Sequence, residues 1–323
     1  MELFFKPIKN EYLGAGELPN GNFDNTTKWK PLTKYLEDGA KNYPEKLMFK
    51  IGDTKGKIIE EYSYTVTNKK ANQVANGLIK FGIKKGDKVG MYMLNCAEFV
   101  FSILGTHKTG GVQVPINKDE KGERLAYVIN YSEIQALVVD TSGLPIIREI
   151  CHKLTNLKLI YIVSDSGEIP EKVGEIKVKP FEELYNYSDQ NPEIEISIKD
   201  QERCMFTSGT TGMPKGVVRE HGGVVMTVRS YLQYQGIRSN DVLMSVLSLG
   251  HANAQAMCLF TSIGAGATAV FFPKFSASNF FRWAHDCGAT VTNFLGAVSE
   301  YLWSSKVGEF DKKHSVRTVL AGP

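Results

Sequence analysis

From about Tyr64 onward the hydrophobic pattern switches repeatedly between a helical and a strand period, and this alternation constrains the fold more than any other feature of the chain. Ala71, Val74, Ala75 and Leu78 stand at i, i+3, i+4 and i+7, one face of a helix that Gly82 can end. Val89, Met91 and Met93 then alternate as a strand after the turn at Lys85-Gly86-Asp87. A helix over 97–109, a strand over 112–115 and a helix over 124–131 follow, with further strands at 136–139 and 159–163. Beyond these, strands are expected at 242–247, 269–272 and 290–292, with helices between them and one from about Gly222. Repeated strand-helix-strand order requires parallel sheets covered on both faces, so the expected fold class is α/β with parallel-rich sheets. Ahead of this region, a helix near 32–40 precedes a hairpin of 47–51 with 58–64 across Gly52-Asp53-Thr54-Lys55-Gly56. The expected division is an opening segment and hairpin (1–64), a first α/β subdomain (65–200) and a second one beginning with a glycine-rich loop (201–323). Residues 165–200, with several prolines and many charges, read as a looser connection.

That loop is Thr207-Ser208-Gly209-Thr210-Thr211-Gly212-Met213-Pro214-Lys215-Gly216, with three glycines, four hydroxyls and one lysine. It follows Cys204-Met205-Phe206, which reads as a short buried strand, and precedes Val217-Val218. Glycines let several backbone N–H groups converge on one oxyanion. The hydroxyls add short donors, and Lys215 adds a charge that a polyphosphate feels strongly. A flexible linker is the bland alternative for such a composition. A linker has no need of Pro214 beside a lysine, or of apolar flanks suited to burial on both sides. The loop also differs from the usual triphosphatase signature, because Gly216 and not a hydroxyl follows the lysine.

Composition removes several other classes. The chain has 323 residues, 42% hydrophobic and 23% charged, enough for a large core and about two domains. A net charge of +3 from 38 basic and 35 acidic residues is too balanced for a protein whose main partner is nucleic acid. Five scattered cysteines (Cys96, Cys151, Cys204, Cys258, Cys287) form no Cys-x-x-Cys pair and read as reduced thiols. The amino terminus lacks the basic-then-apolar pattern of a signal peptide, so cytoplasmic residence is the expectation. Residues 254–272 carry no formal charge but hold Gln255, Gly264, Gly266 and several hydroxyls, so a buried helix, a glycine turn and a strand explain them better than a membrane span.

The run 207–216 closely resembles the AMP-binding signature of the adenylate-forming superfamily, which contains acyl- and aryl-CoA synthetases, peptide-synthetase adenylation domains and firefly luciferase. Ser63-Tyr64, the run from Gly82 to Val89 and the run from Gly110 to Asn117 look like its successive early core motifs, in the same order. The resemblance covers nearly the whole chain. It implies two stacked α/β subdomains plus a small β-barrel. It also implies two half-reactions: a carboxylate attacks the α-phosphate of ATP to give acyl-AMP and pyrophosphate, then a thiol displaces AMP. ATP, Mg2+ and CoA are therefore the expected cofactor and co-substrates, and a small carboxylic acid the expected substrate. No nucleic acid and no membrane span are expected, and a homo-oligomer is compatible.

By the same resemblance, Thr207, Ser208, Gly209, Thr210, Thr211, Gly212, Lys215 and Gly216 would contact the nucleotide, with Thr211 and Lys215 stabilising the phosphates during reaction. No resident metal site is expected. His251 would stand beside the acyl group, although Ser248-Leu249-Gly250-His251 replaces the family's proline and aromatic. Gly250 is expected to open space near the carboxylate. The run from Thr290 to Val298 looks like the acyl-pocket segment, with Gly296 in place of a proline and Ala297 beside it. With 265–268 and 275–277 it most resembles the crotonobetaine/carnitine-CoA ligase branch, which suggests fatty acid or carnitine metabolism. Without the resemblance, the histidine reads instead as a hydrogen-bonded structural residue at a strand end.

Two patterns are set aside. Gly264 to Ala269 fits Gly-x-Gly-x-x-Ala, but a strand follows where a dinucleotide fingerprint needs a helix. His107, His152, His221, His285 and His314 show no metal-ligand spacing; His221 follows the glycine-rich loop, and a place near that loop and a surface or helix-start role are both open to it. The final residues, through Gly322, look like the start of the turn bordering the adenine pocket. The segment for adenine and magnesium, the ribose aspartate and the lid with its lysine are expected farther on, so the chain reads as an N-terminal fragment, inactive alone. The leading function is an ATP-dependent acyl-CoA synthetase. The alternatives are an adenylation domain that loads a carrier protein and a non-catalytic nucleotide-binding protein.

Overall fold

The structure is a computed structural model, and it describes residues 29–164, 168–207 and 212–322. Along the chain, α1 (Leu32–Asn42) precedes β1 (Leu47–Gly52) and β2 (Ile58–Ser63), and α2 (Tyr64–Phe81) leads to β3 (Lys88–Tyr92). Next come α3 (Ala97–Lys108), β4 (Val112–Pro115), α4 (Gly122–Tyr131), β5 (Ile134–Asp140), α5 (Leu144–Ile150) and β6 (Leu159–Val163). The short pair β7 (Lys172–Val173) and β8 (Ile176–Pro180) is followed by the longer pair β9 (Gln201–Thr207) and β10 (Lys215–Glu220). Then follow α6 (His221–Tyr234), β11 (Val242–Ser245), α7 (Ala252–Ala254), a π-helical Gln255–Phe260 and α8 (Thr261–Ala265). Finally, β12 (Thr268–Phe271), α9 (Phe280–Asp286), β13 (Val291–Leu295) and α10 (Gly296–Ser304) lead to β14 (Thr318–Gly322).

The chain divides into two compact units. The first holds the described residues up to Thr65, then 222–247 and 253 onward. Its sheet has the order β14-β13-β11-β12-β1-β2, parallel except for the last pair. The early hairpin is therefore part of this sheet: β1 lies beside β12, with Phe49 opposite Ala269, because β1 is apolar enough to be buried on both faces. Tyr64 fixes the joint, its buried hydroxyl donating to the carbonyls of Ser262 (3.1 Å) and Ala267 (2.9 Å). Gly56 (φ +91°) is required in the hairpin turn, since a Cβ there would fall 2.0 Å from the Trp283 ring. Trp283 stacks on Phe272 at 4.8 Å, and both pack with Met244, Val270 and Phe280. Gly266 ends α8 in the left-handed conformation (φ +64°) and β12 follows, which removes the dinucleotide reading of 264–269. Among the described residues, no helix is long and apolar enough to cross a membrane.

The second unit comprises 66–221 and 248–252. Its sheet has the order β10-β9-β4-β3-β5-β6-β8-β7, with β4, β3, β5, β6 and β8 mutually parallel. β3 is central because Val89 to Tyr92 are apolar or small and buried on both faces. β9 continues the sheet parallel to β4 and β10 returns antiparallel, so residues 201–221 pair with the elements that precede them in the chain, away from the boundary expected at 201. Residues 168–200 are also not a loose connection. Beyond the β7–β8 pair, the side chains of Asn72, Gln73 and Asn76 on α2 donate to the backbone carbonyls of Asp189, Tyr185, Ser188 and Gln190 at 2.6–3.0 Å. A polar stripe on α2 thus satisfies the end of a short 3-10 helix (Phe181–Asn186) and the segment after it, which have no sheet partner. The described residues form two sheets, and the implied small barrel is not among them.

Candidate functional site

β9 and β10 form a hairpin whose tip is the glycine-rich loop. Thr207 and Lys215 are its last paired residues, followed inward by Phe206 with Gly216 and Met205 with Val217. Ser208, Gly209, Thr210 and Thr211 lie outside the described residues. Gly212 is exposed with nothing within 4 Å of a Cβ built on it, Pro214 is buried and Lys215 is exposed. Gly216 is close-packed, since a Cβ there would stand 3.1 Å from Cys204 Sγ and 3.3 Å from the Phe206 ring. The expected burial of both flanks holds in part for β9, where Cys204 is buried and Met205 and Phe206 are half-buried, and fails for β10. Val217 and Val218 are 51% and 49% exposed, because β10 is the edge of the sheet.

At the foot of this hairpin, the sequence reading missed a buried ionic cluster. Glu202 Oε1 receives His107 Nε2 at 3.0 Å and Gln113 Nε2 at 2.8 Å, while Arg203 Nε stands 3.5 Å from Oε2. Gln113 is also the β4 residue paired with Arg203, the one register pair between β4 and β9. Burial opposes the Glu202 charge, but Arg203, His107 and His221 more than offset it and hold the carboxyl at about 2. His221 opens α6, buried, with its ring 5.3 Å from that of His107, and its N–H donates to Asp200 O at 3.0 Å. Burial and the neighbouring His107 lower its pKa to about 4. Polar residues at the start of an otherwise apolar strand were the available signal.

The opposite, carboxyl ends of the parallel strands carry the second set of candidate residues. Residues 248–251 make a tight turn there, His251 N–H donating to Ser248 O at 2.9 Å and Gly250 N–H to Ser248 Oγ at 3.0 Å. Asn95, just after β3, accepts Leu249 N–H at 2.7 Å. Gly250 is buried, and a Cβ there would lie 3.1 Å from Ser248 Oγ and 3.4 Å from Ile116 O at the end of β4. The glycine thus lets the turn approach the strand end closely. It does not leave empty space on its Cβ side, contrary to the expectation. His251 remains open to solvent, yet the protein around it lowers its pKa by desolvation, with Asp119 acting in the opposite sense. Because β9 runs parallel to β4, Thr207 at the end of β9 and the His251 turn belong to the same edge of this sheet.

A carboxylate the sequence reading did not single out organises that edge. Asp140, at the end of β5, accepts Lys118 Nζ (2.7 Å), Ser142 Oγ (2.7 Å), Gly143 N–H (2.8 Å) and Leu94 N–H (2.9 Å). Burial raises its pKa, and these donors outweigh that and hold it below the ordinary carboxylate range. The run Asp140-Thr141-Ser142-Gly143 is a turn signal and was the available clue. In strand order this is the place where the chain changes direction, β4 lying on one side of β3 and β5 on the other. Ligands of open α/β sheets bind beside the carboxyl ends of strands at such points.

In the first unit, Gly296 begins α10 immediately after β13, and nothing stands within 4 Å of a Cβ built on it. Ala297 follows, exposed. Leu295 pairs with Gly322 of β14, so Gly296, Ala297 and Gly322 cluster at the carboxyl ends of two adjacent parallel strands. Asn293, buried in β13, donates to the side chain of Asn253.

The comparisons with known proteins agree with this arrangement. The AMP-binding enzyme family matches residues 36–322. Crotonobetaine/carnitine-CoA ligase of Salmonella paratyphi C is 30% identical over 293 residues, covering 90% of this chain and 55% of that protein. The ligase of the same name from Proteus mirabilis is 29% identical over 290 residues, with the same coverage. Among solved structures, the anthranilate CoA ligase AuaEII in complex with anthranoyl-AMP superposes with a TM-score of 0.80 at 23% identity, covering 91% of this chain and 55% of that one. The N-terminal domain of FACL13 from Mycobacterium tuberculosis gives 0.75 at 22% identity, covering 91% and 70%. The chain spans about half the length of the curated relatives it matches. With the family match running through both sheets and to the end of β14, the chain belongs to the AMP-binding enzyme family.

Proposed function

We propose that this chain is the acid- and nucleotide-binding part of an ATP-dependent acyl-CoA synthetase, an acid-thiol ligase. The observation that carries the reading is exposed Lys215, paired with Thr207 where β9 ends at the carboxyl edge of a parallel sheet, in a member of the AMP-binding family. In the first half-reaction the acid's carboxylate oxygen attacks the α-phosphorus of ATP, and the bond to the bridging oxygen of pyrophosphate breaks. The nucleophile is already an anion, so positioning and charge neutralisation matter more than a general base. Lys215, with Ser208, Thr210 and Thr211, neutralises the β- and γ-phosphates. In the second half-reaction a CoA thiol gives up its proton, attacks the acyl carbon and releases AMP.

His251 is neutral near pH 7, its pKa being lowered, so it orients the acid through an N–H and not by charge. Gly296 and Ala297 border the acyl group, and Gly322 borders the adenine. Mg2+ enters with the ATP phosphates. Among the described residues no three His, Cys, Asp or Glu side chains gather to hold it unaided. A short or polar acid of the crotonobetaine/carnitine kind is the inferred substrate, supported by the identity to the ligases of that name.

The test is carboxylate-dependent exchange of pyrophosphate into ATP by the protein as its gene encodes it, with acetate, longer fatty acids, carnitine and crotonobetaine as acids. Exchange with carnitine or crotonobetaine, followed by thioester formation with CoA, supports the reading. Exchange with CoA unable to accept the acyl group would favour a carrier-protein acceptor. ATP binding with no exchange for any acid would favour a nucleotide-binding protein without catalysis.

A further inference from the structure

We propose that Asp140 is a positioning residue, whose carboxylate ties together the loops after β3, β4 and β5 and thereby holds the turn that presents His251. Two arms lead from it. Oδ2 accepts Leu94 N–H at 2.9 Å, and the adjacent Asn95 accepts Leu249 N–H at 2.7 Å, two residues before His251. Oδ1 accepts Lys118 Nζ at 2.7 Å, next to Asp119, the charged residue that acts on the His251 ring. The second arm is reinforced by Tyr92 at the end of β3, whose hydroxyl donates to the carbonyls of Glu120 (2.8 Å) and Lys118 (3.2 Å) while Lys118 Nζ lies 4.4 Å from its ring centre. Burial, Asp140, Asp119 and Glu120 push that hydroxyl up to about 12, so it stays a donor throughout the working pH range.

The geometry leaves little slack. Asp140 is only 19% exposed at its side chain and Lys118 16%, and a Cβ at Gly143 would fall 3.0 Å from the Tyr92 ring and 3.1 Å from Lys118 Nζ. The turn itself is seated from one side by Asn95 and from the other by the close approach of Gly250 to Ile116 O. Removing the Asp140 carboxylate would free Leu94 N–H and Lys118 at once, so both arms would loosen together. The catalytic consequence rests on the reading given under Proposed function, but the structural one does not.

The test therefore reads structure first. Amide hydrogen exchange at Leu249 and the NMR titration of the His251 imidazole, assigned with His251→Gln, are measured in the wild type, Asp140→Asn, Asp140→Ala and Asn95→Ala. In both Asp140 variants Leu249 N–H should exchange faster, by roughly tenfold or more, although Asp140 does not touch it. Release of the turn should expose the His251 ring, and because desolvation is the larger influence on it, its titration should move toward the ordinary 6.5 even though a loosened Asp119 acts the other way; Asn95→Ala, which frees the turn alone, should reproduce both effects. Asp140→Asn keeps the shape of the side chain and serves if the alanine variant fails to fold. Unchanged Leu249 exchange and an unchanged His251 titration in folded Asp140→Asn would overturn the proposal. If the exchange reaction is confirmed, Asp140→Asn should raise the KM for the acid severalfold while leaving that for ATP in place. A structural effect without this split would retain the coupling and reject its role in acid binding.

Discussion

Glu202 and His107 meet at 3.0 Å with neither side chain exposed, an acid and an imidazole sealed in the core of the second unit where β9 begins. The folded Glu202 carboxyl titrates at about 2 against an ordinary 4.5, so its stabilisation is fully present above 4.5 and is lost as the pH falls toward 2. His221 acts in the same direction in a higher window. Its folded pKa of about 4 lies below the ordinary 6.5, so between these values the unfolded chain binds a proton that the folded one refuses. Stability should therefore decline from pH 6.5 downward, each group contributing on the order of 2 or 3 kcal/mol. Denaturant midpoints measured from pH 3 to 8 would show it. Glu202→Gln should cost about 3 kcal/mol at pH 7 and remove the Glu202 share of the dependence below 4.5, because Arg203 and His107 lose the buried carboxylate beside them.

In the first unit, Asp241 is the corresponding buried acid. It accepts Arg238 N–H (2.7 Å) and Thr290 Oγ1 (2.7 Å) and pairs with Arg317, linking the start of β11 to residues just before β13 and β14. Asp241→Ala should destabilise by about 3 kcal/mol in urea unfolding. Asp286→Ala removes only the exposed i,i+4 contact with Arg282 and should change stability by less than about 0.5 kcal/mol.

Lys215 is exposed beside the loop, so its charge is available to a ligand and contributes little to folding. Lys215→Gln should leave the melting temperature unchanged and weaken ATP binding by about 10- to 100-fold, the worth of one charge-assisted contact. Titration with a non-hydrolysable ATP analogue at two salt concentrations checks this, since the wild-type affinity should be the more salt-sensitive of the two.

Gly250 and Gly296, each proposed to act on the acid, should respond differently. A Cβ at Gly296 meets nothing, so Gly296→Ala should alter stability by no more than about 0.5 kcal/mol while shifting kcat/KM toward smaller acids. A Cβ at Gly250 meets Ser248 Oγ and Ile116 O, so Gly250→Ala should cost about 1 kcal/mol and displace His251, lowering the rate with every acid. Unfolding curves and the acid panel, run on both variants, separate the cases.

What the sequence alone determined was local. The periodicities of 71–78 and 89–93, the glycine turn before 268 and the donor-rich run 207–216 each state a backbone geometry within a few residues, and together they fix the α/β class and the family resemblance. What only the tertiary structure decided was every relationship between distant segments. Nothing near Phe49 says that it will lie opposite Ala269, because β pairing is a choice among all apolar strands that only global packing resolves. Likewise a glutamate at 202, an aspartate at 140 and a glycine at 250 look like ordinary surface, turn and pocket residues. They become a core ion, a hub for three loops and a packing contact because their partners come from other strands. Side-chain burial and pKa depend on those distant partners as well as on near ones such as Ser142 and Arg203, and no window along the chain contains the distant ones.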